Sequence, residues 1–222
     1  KLIGKLLRQD KLKRLPGLYV IIDTEALKGR NHVEIARQAI HGGATTIQLR
    51  DKVSSRKEVL PIARRLRALC SERNVLFIVD DYLDIALETD ADGLHVGQED
   101  LPMKVARKWL PADKILGGSA ETIKMALAAQ SDGADYLGVG AIYPTMSKTK
   151  TVVVGLERLR QIKQAVSLPL IGIGGIMDFL LWIMLGKGFL LGFQHGQLLW
   201  PCLALLLYAA ALPAKLRVLP VD

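Results

Sequence analysis

ADGLHVG (residues 91–97) and ADYLGVG (residues 134–140) are two copies of one phrase, each placed after a helix-like stretch and each opening a short apolar run. Five more runs of this kind lie to either side: GLYVIID (17–23), ATTIQLR (44–50), VLFIVDD (75–81), KILGGSA (114–120) and LPLIGIGG (168–175). They are rich in β-branched residues and read as strands buried on both faces. Between them lie amphipathic stretches. Val33, Ala36 and Ile40 share one helical face before Gly42-Gly43, and Ser55 with Glu58 makes a capping-box signature ahead of Val59, Ala63, Leu66 and Cys70. Strand alternating with helix predicts a parallel sheet. Repeated βα units favour an α/β chain folded as a (β/α)8 TIM barrel over an open doubly wound sheet. No G-x-G-x-x-G follows the first strand, which disfavours dinucleotide binding. Seven strands are legible before residue 176. The eighth strand and the closing helix are not.

Half of the 222 residues are apolar and 23% are charged, the composition of a folded globular chain. A net charge of +8 fits an anionic ligand, nucleic acid or a membrane surface. Six basic residues fall within residues 1–14, where Leu2, Ile3, Leu6 and Leu7 predict an amphipathic helix with a basic outer face, covering one end of the fold. Aromatic content is 5% without basic–aromatic interleaving, which argues against nucleic acid. Cys70 and Cys202 form neither a disulfide framework nor a metal motif, and Cys70 on an apolar helix face reads as a buried thiol. The basic opening segment lacks the continuous apolar core of a secretory signal, so a cytoplasmic location is expected.

A barrel of this kind carries its active site where the strands end. Polar residues gather there. Strand two ends in Gln48, Arg50, Asp51 and Lys52; strand three in Asp80, Asp81 and Asp84; strand five in Ser119. Strand four is followed by Gln98, Glu99 and Asp100, strand six by Thr145, Ser147, Lys148 and Lys150, and strand seven by Gly174-Gly175. Arg50 and Lys52 after strand two, with Lys148 after strand six, suit a polyanion. Asp81 and Asp100 are hard oxygen ligands for Mg²⁺, an ion that keeps waters and is completed by substrate phosphates. Thr145, Ser147 and the backbone N–H groups around Gly174 and Gly175 suit a separate phosphate. The other polar residues have structural readings: Asp84 as a helix cap, His95 as a satisfied core or rim histidine, His32 and His41 as surface groups.

QLRDK (48–52), the D-D-x-x-D-I-A-L run at 80–87, ADGLHVGQEDLP (91–102), GGSA (117–120), GADYLGVGAIYPTMSKTK (133–150) and IGIGGI (171–176) together resemble the thiamine-phosphate synthase family. The resemblance spans about residues 15–176, which read as the barrel core. It implies a TIM-barrel transferase of thiamine biosynthesis. Such an enzyme joins 4-amino-2-methyl-5-hydroxymethylpyrimidine diphosphate to hydroxyethylthiazole phosphate and releases diphosphate, with Mg²⁺ as cofactor. Carried onto this chain, the catalytic positions are Arg50, Lys52, Ser119 and Lys148. The pyrimidine diphosphate falls to Gln48, Leu49, Arg50, Asp51, Lys52, Asp80, Ser119 and Lys148. The thiazole phosphate falls to Thr145, Met146, Ser147, Gly174 and Gly175, and the metal to Asp81 and Asp100. Asp80 stands where the family usually has Asn, and Ser147 where it usually has Thr. The thiazole tautomerase of the same fold lacks the full diphosphate and magnesium set seen here.

After IGIGGI the resemblance implies a further helix and a strand like GADGVAVVSAI, a third copy of the phrase at 91–97. Residues 177–222 match neither and hold no Ser or Thr. GKGFLLGFQ (186–194) lies near the place of a substitute strand. Three readings of the tail stand open: a divergent or disrupted ending, a membrane anchor over 198–214, or buried helices on the barrel or at a homo-oligomer interface. The rival to a soluble synthase is therefore a catalytically weak barrel that binds a phosphate ligand, membrane-associated through this tail.

Overall fold

The structure, a computed structural model, describes residues 2–144, 153–176 and the backbone of 215–218. Seven parallel strands form in chain order: β1 (Leu18–Asp23), β2 (Ala44–Arg50), β3 (Leu76–Asp80), β4 (Gly93–Val96), β5 (Ile115–Ala120), β6 (Tyr136–Gly140) and β7 (Leu170–Ile173). Each pairs with the next, from Leu18↔Ala44 through Gly140↔Ile173. All seven runs expected from the sequence are strands. Helices α1 (Leu2–Arg14), α2 (Thr24–Leu27), α3 (His32–His41), α4 (Arg56–Glu72), α5 (Leu83–Glu88), α6 (Met103–Trp109), α7 (Ile123–Ser131) and α8 (Gly155–Ala165) complete the described helices. Ser55 and Glu58 form the capping box of α4, and Cys70 on its inner face is buried, with burial pushing its thiol up to about 12.

The eighth barrel position is held by β8 (Lys215–Val218), which runs antiparallel to β1 with Leu18 opposite Val218 and Ile21 opposite Lys215. It approaches β7 but shares no ladder with it among the described residues. The expected parallel eighth strand is thus replaced on the β1 side by an antiparallel one. GKGFLLGFQ and the apolar segment 198–214 lie outside the described residues. Among those described, no helix is long and apolar enough to cross a membrane.

Strand pleating sorts the side chains into two cores. Val20, Ile22, Ile47, Leu49, Phe77, Val79, Leu94, Val96 and Leu116 point outward into the helical layer, and Leu137 and Val139 do so on the β6 side. Tyr19, Ile21, Leu76, Ile78, Ile115, Tyr136 and Ile171 fill the barrel interior. With a period of two, the residues that continue the inward set toward the strand ends are Asp23, Gln48, Arg50, Asp80, His95 and Ser119. The two neighbouring glycines of β5 make room for bulky side chains on opposite faces. A Cβ on Gly117 would fall 2.1 Å from Tyr136 Cζ inside the barrel, and one on Gly118 would fall 2.3 Å from Met103 Cε outside it.

The aspartates of the repeated phrase do identical work. Asp92 takes the N–H of Phe77 on its carboxylate at 3.0 Å while its own N–H donates to the Phe77 carbonyl at 2.8 Å. Asp135 does the same with Leu116, at 2.8 and 2.7 Å. Each acid clamps the strand before it. Buried acids need cations, and α1 supplies them: Lys11 reaches Asp92 at 3.5 Å and Asp113 at 3.4 Å, and Arg8 reaches Asp135 at 3.4 Å. This inverts the expected orientation of α1. Its basic residues Arg8 and Lys11 face the barrel, whereas Leu2, Ile3, Leu6 and Leu7 are more than half exposed. Pairing buried carboxylates outweighs burying aliphatic side chains here, because an unpaired buried charge costs several kcal/mol and an exposed leucine about 2 kcal/mol.

Asp135→Ala strands the Leu116 N–H and leaves Arg107 without its 3.1 Å partner. Urea denaturation of this variant is expected to show a loss of about 3 kcal/mol. Leu6→Ala, which empties no buried space, changes stability by no more than about 0.5 kcal/mol.

Candidate active site

At the carboxyl ends of the strands, acids and bases interleave. Arg50 donates to Asp23 at 2.6 Å and lies 3.6 Å from Asp80. Gln48 Nε2 donates to Asp80 Oδ1 at 2.5 Å. Lys52 forms an ion pair with Asp81 and a second with Asp100 at 3.3 Å. Asp81 sits in the left-handed region at φ 62°, where its N–H donates to the His95 carbonyl at 2.8 Å. That conformation is uncommon for a non-glycine residue and clusters at functional sites. Asp100 folds back to accept from the Gly97 N–H at 3.0 Å, in space that a Cβ on Gly97 would fill at 2.5 Å from its oxygen. Ser119 Oγ lies 3.0 Å from His95 Nε2 on the neighbouring strand.

Asp81 and Asp100 thus present oxygens to one shared ammonium. A pair of carboxylates converging on a single cation has the chemistry of a hard divalent ion's ligands. Among the described residues no group of three His, Cys, Asp or Glu side chains converges, so the protein would supply these two ligands there.

Gln48, Arg50, Lys52, Asp80, Asp81, Asp100 and Ser119, expected from the sequence, therefore meet through a connected set of contacts. Two others do not join them. Leu49 points outward into the helical core with 1% of its surface exposed, so only its backbone faces the rim. Asp51 turns away to accept from Val53 and Ser54 N–H and from the Thr24 hydroxyl, shaping the loop that carries Lys52. Gly174 and Gly175 both have positive φ, at 88° and 69°, and a Cβ on Gly175 would fall 2.5 Å from the Tyr143 carbonyl oxygen. Thr145, Met146, Ser147 and Lys148 lie outside the described residues. His32 is not a free surface group, since its Nε2 meets the Thr24 hydroxyl at 2.9 Å. Asp84 is not the cap of α5, whose N-cap position is Tyr82, but lies in the first turn and pairs with Arg56. Three buried residues escaped the sequence reading: Asp23, which ends strand one by the very rule applied to the others, and Tyr19 and Tyr136, which lie at the starts of β1 and β6, away from the strand ends.

A profile of the thiamine monophosphate synthase family matches residues 18–179. The chain belongs to that family. It is 48% identical over 161 residues to the thiamine-phosphate synthase of Clostridium tetani, covering 72% of this chain and 77% of that one. It is 52% identical over 160 residues to the thiamine-phosphate synthase of Moorella thermoacetica, covering 72% and 76%. The solved structure of a thiamine phosphate pyrophosphorylase from Pyrococcus furiosus superposes with a TM-score of 0.63 at 43% identity, over 70% of this chain and 74% of that one. These homologues of the family are transferases of thiamine biosynthesis, and the barrel they share is the one described above.

The charges at this rim are set by burial and by one another. Asp80 is 7% exposed, and burial, then the neighbouring Asp81 charge, pushes its carboxyl up to about 7 against the pull of Lys52 and Arg50. Burial and the adjoining Asp100 carboxyl raise Asp81. Burial works against the Lys52 charge, yet the hydrogen bond and charge of Asp81, helped by Asp100, raise its pKa.

An acid whose pKa is raised by folding lends full stability below its unfolded value of 3.8 and loses it as pH rises through about 7. Asp80→Asn keeps an oxygen for Gln48 and removes that loss. In chelator-treated protein the variant is expected to exceed the parent in stability by about 2 kcal/mol above about pH 8, with the gap narrowing toward pH 4. A gap that widens on acidification overturns the charge assignment at Asp80.

Proposed function

We propose that this chain is a cytoplasmic Mg²⁺-dependent synthase joining 4-amino-2-methyl-5-hydroxymethylpyrimidine diphosphate to hydroxyethylthiazole phosphate, with release of diphosphate. The observation that carries this reading is the contact set that, through His95, Tyr136 and Tyr19, links Gln48, Arg50, Lys52, Asp80, Asp81, Asp100 and Ser119 at one end of a barrel of this family. Arg50 and Lys52 hold the diphosphate oxygens, with Lys148 and the Leu49–Asp51 backbone as further contacts. Asp81 and Asp100 would hold Mg²⁺, and the ion would supply charge neutralisation to the leaving diphosphate. The second phosphate lies against the Gly174-Gly175 turn with Thr145, Met146 and Ser147.

In the reaction the methylene carbon–oxygen bond breaks and its electron pair leaves with diphosphate. The aminopyrimidine ring stabilises the resulting cation, and the thiazole nitrogen lone pair then closes the new carbon–nitrogen bond. No proton is lost at either reacting atom. The chain accordingly needs position and charge rather than a strong base, and Arg50 and Lys52, both already paired with carboxylates, are fixed before substrate arrives.

A second reading rests on β8. An antiparallel strand beside β1 stands where the family resemblance implies a parallel strand and its phosphate-binding loop. On that reading the barrel binds the pyrimidine diphosphate but turns over weakly. Incubation with both substrates and Mg²⁺, assayed for thiamine phosphate, separates the two. Turnover that falls about 100-fold in Asp100→Ala is expected of the synthase; diphosphate binding without product supports the weak barrel.

Lys52 gives an independent check. Its ammonium competes with a divalent ion for Asp81 and Asp100 in the ligand-free chain. Lys52→Met is expected to bind Mn²⁺ about tenfold more tightly by electron paramagnetic resonance while losing kcat/KM. Weaker Mn²⁺ binding in this variant overturns the metal assignment.

A further inference from the structure

Six polar side chains lie end to end across the barrel interior beneath the site. Gln48 Nε2 donates to Asp80, and Gln48 Oε1 accepts from the Tyr19 hydroxyl at 2.8 Å. The Tyr19 and Tyr136 hydroxyls are 2.9 Å apart. Tyr136 meets His95 Nδ1 at 3.1 Å, and His95 Nε2 meets Ser119 Oγ at 3.0 Å. The line thus runs from β3 around to β5, joining two edges of the site through four residues that are each at most 5% exposed.

The donor–acceptor inventory gives this line a direction. Gln48 presents its NH₂ to Asp80 Oδ1 and its carbonyl oxygen to the Tyr19 hydroxyl. Tyr19 gives its single proton to Gln48 and therefore accepts from Tyr136. Burial raises the Tyr136 pKa, so its phenol stays protonated and that proton goes to Tyr19. Tyr136 must then accept from His95 Nδ1–H. A neutral imidazole protonated at Nδ1 has a bare Nε2, which accepts from the Ser119 hydroxyl.

We propose that His95 is a positioning residue, held as its Nδ1–H tautomer by this chain, that draws the Ser119 proton inward and turns the Ser119 lone pairs toward the site. On the synthase reading above, on which the ligand's identity rests, Ser119 then accepts an N–H of the aminopyrimidine instead of donating to a phosphate oxygen. Free imidazole carries no such preference for Nδ1–H, so the tautomer is diagnostic.

The test is long-range ¹H–¹⁵N correlation on the full chain labelled at histidine, in alkaline buffer. His95 is expected to show a protonated Nδ1 and an unprotonated Nε2. Tyr19→Phe removes the acceptor for the Tyr136 proton, which then turns to Nδ1 and moves the ring toward the Nε2–H form. The same variant is expected to raise KM for the pyrimidine diphosphate about tenfold, with KM for the thiazole phosphate changed by less than about twofold. A His95 protonated at Nε2 in the parent chain overturns the proposal even if Tyr19→Phe does not fold. Because the tautomer is read without turnover, an inactive chain with Nδ1–H sinks the synthase reading and leaves the positioning role standing. An active chain with Nε2–H does the reverse.

Discussion

Pleating of parallel strands is the constraint on which everything else in this chain depends. Seven neighbours in register send every second side chain into the same interior, and the same alternation carries the last inward residue of each strand to one end. Hydrophobic contact fills the lower layers with Ile21, Leu76, Ile78, Ile115 and Ile171. The top layer has the identical geometry with different chemistry. Asp23, Arg50, Asp80 and Ser119 need no special backbone device to converge; they occupy the positions the pleat makes adjacent. Asp81, beyond the end of β3, differs from these four in its left-handed backbone, and the His95 carbonyl holds it there.

That constraint explains how much was legible in the sequence. Each strand was readable because its buried run is bounded by polar turns, and the site because strand ends are where such a barrel exposes function. Leu49 marks the limit of the second inference. Its place inside QLRDK comes from a contiguous motif, but contiguous residues on a strand alternate faces, and its side chain belongs to the helical core. Tyr19 and Tyr136 were invisible for the opposite reason. An inward tyrosine near the start of a strand looks like core until its hydroxyl is found within reach of another, and for Tyr136 that depends on Gly117 of the neighbouring strand lacking a side chain.

Helix α1 shows where periodicity misleads. Leu2, Ile3, Leu6 and Leu7 form an apolar stripe that the sequence pattern alone would bury, yet the surface beneath the helix carries Asp92, Asp113 and Asp135. An amphipathic pattern tells which residues share a face, not which face is inner; the partner decides that. The repeated phrase contained the missing information, since its Asp recurs before two strands and each copy buries a charge.

The strand at the eighth position follows from a similar accounting. β1 has hydrogen-bonding groups on two sides, and β2 satisfies one of them. The other edge, from Leu18 to Ile21, pairs with Lys215–Val218 running the opposite way. Antiparallel pairing satisfies that edge as well as a parallel strand would, so backbone hydrogen bonding does not require the family's eighth βα unit. Catalysis is more exacting. A parallel strand would deliver its carboxyl end, and the loop after it, to the rim that holds Arg50 and Asp81; an antiparallel strand delivers its amino end there instead. The contacts of Arg50, Lys52, Asp81 and Asp100 come from β1 to β4 and the loops after them, independent of this reversal, and on the proposed reading its cost falls on the second phosphate.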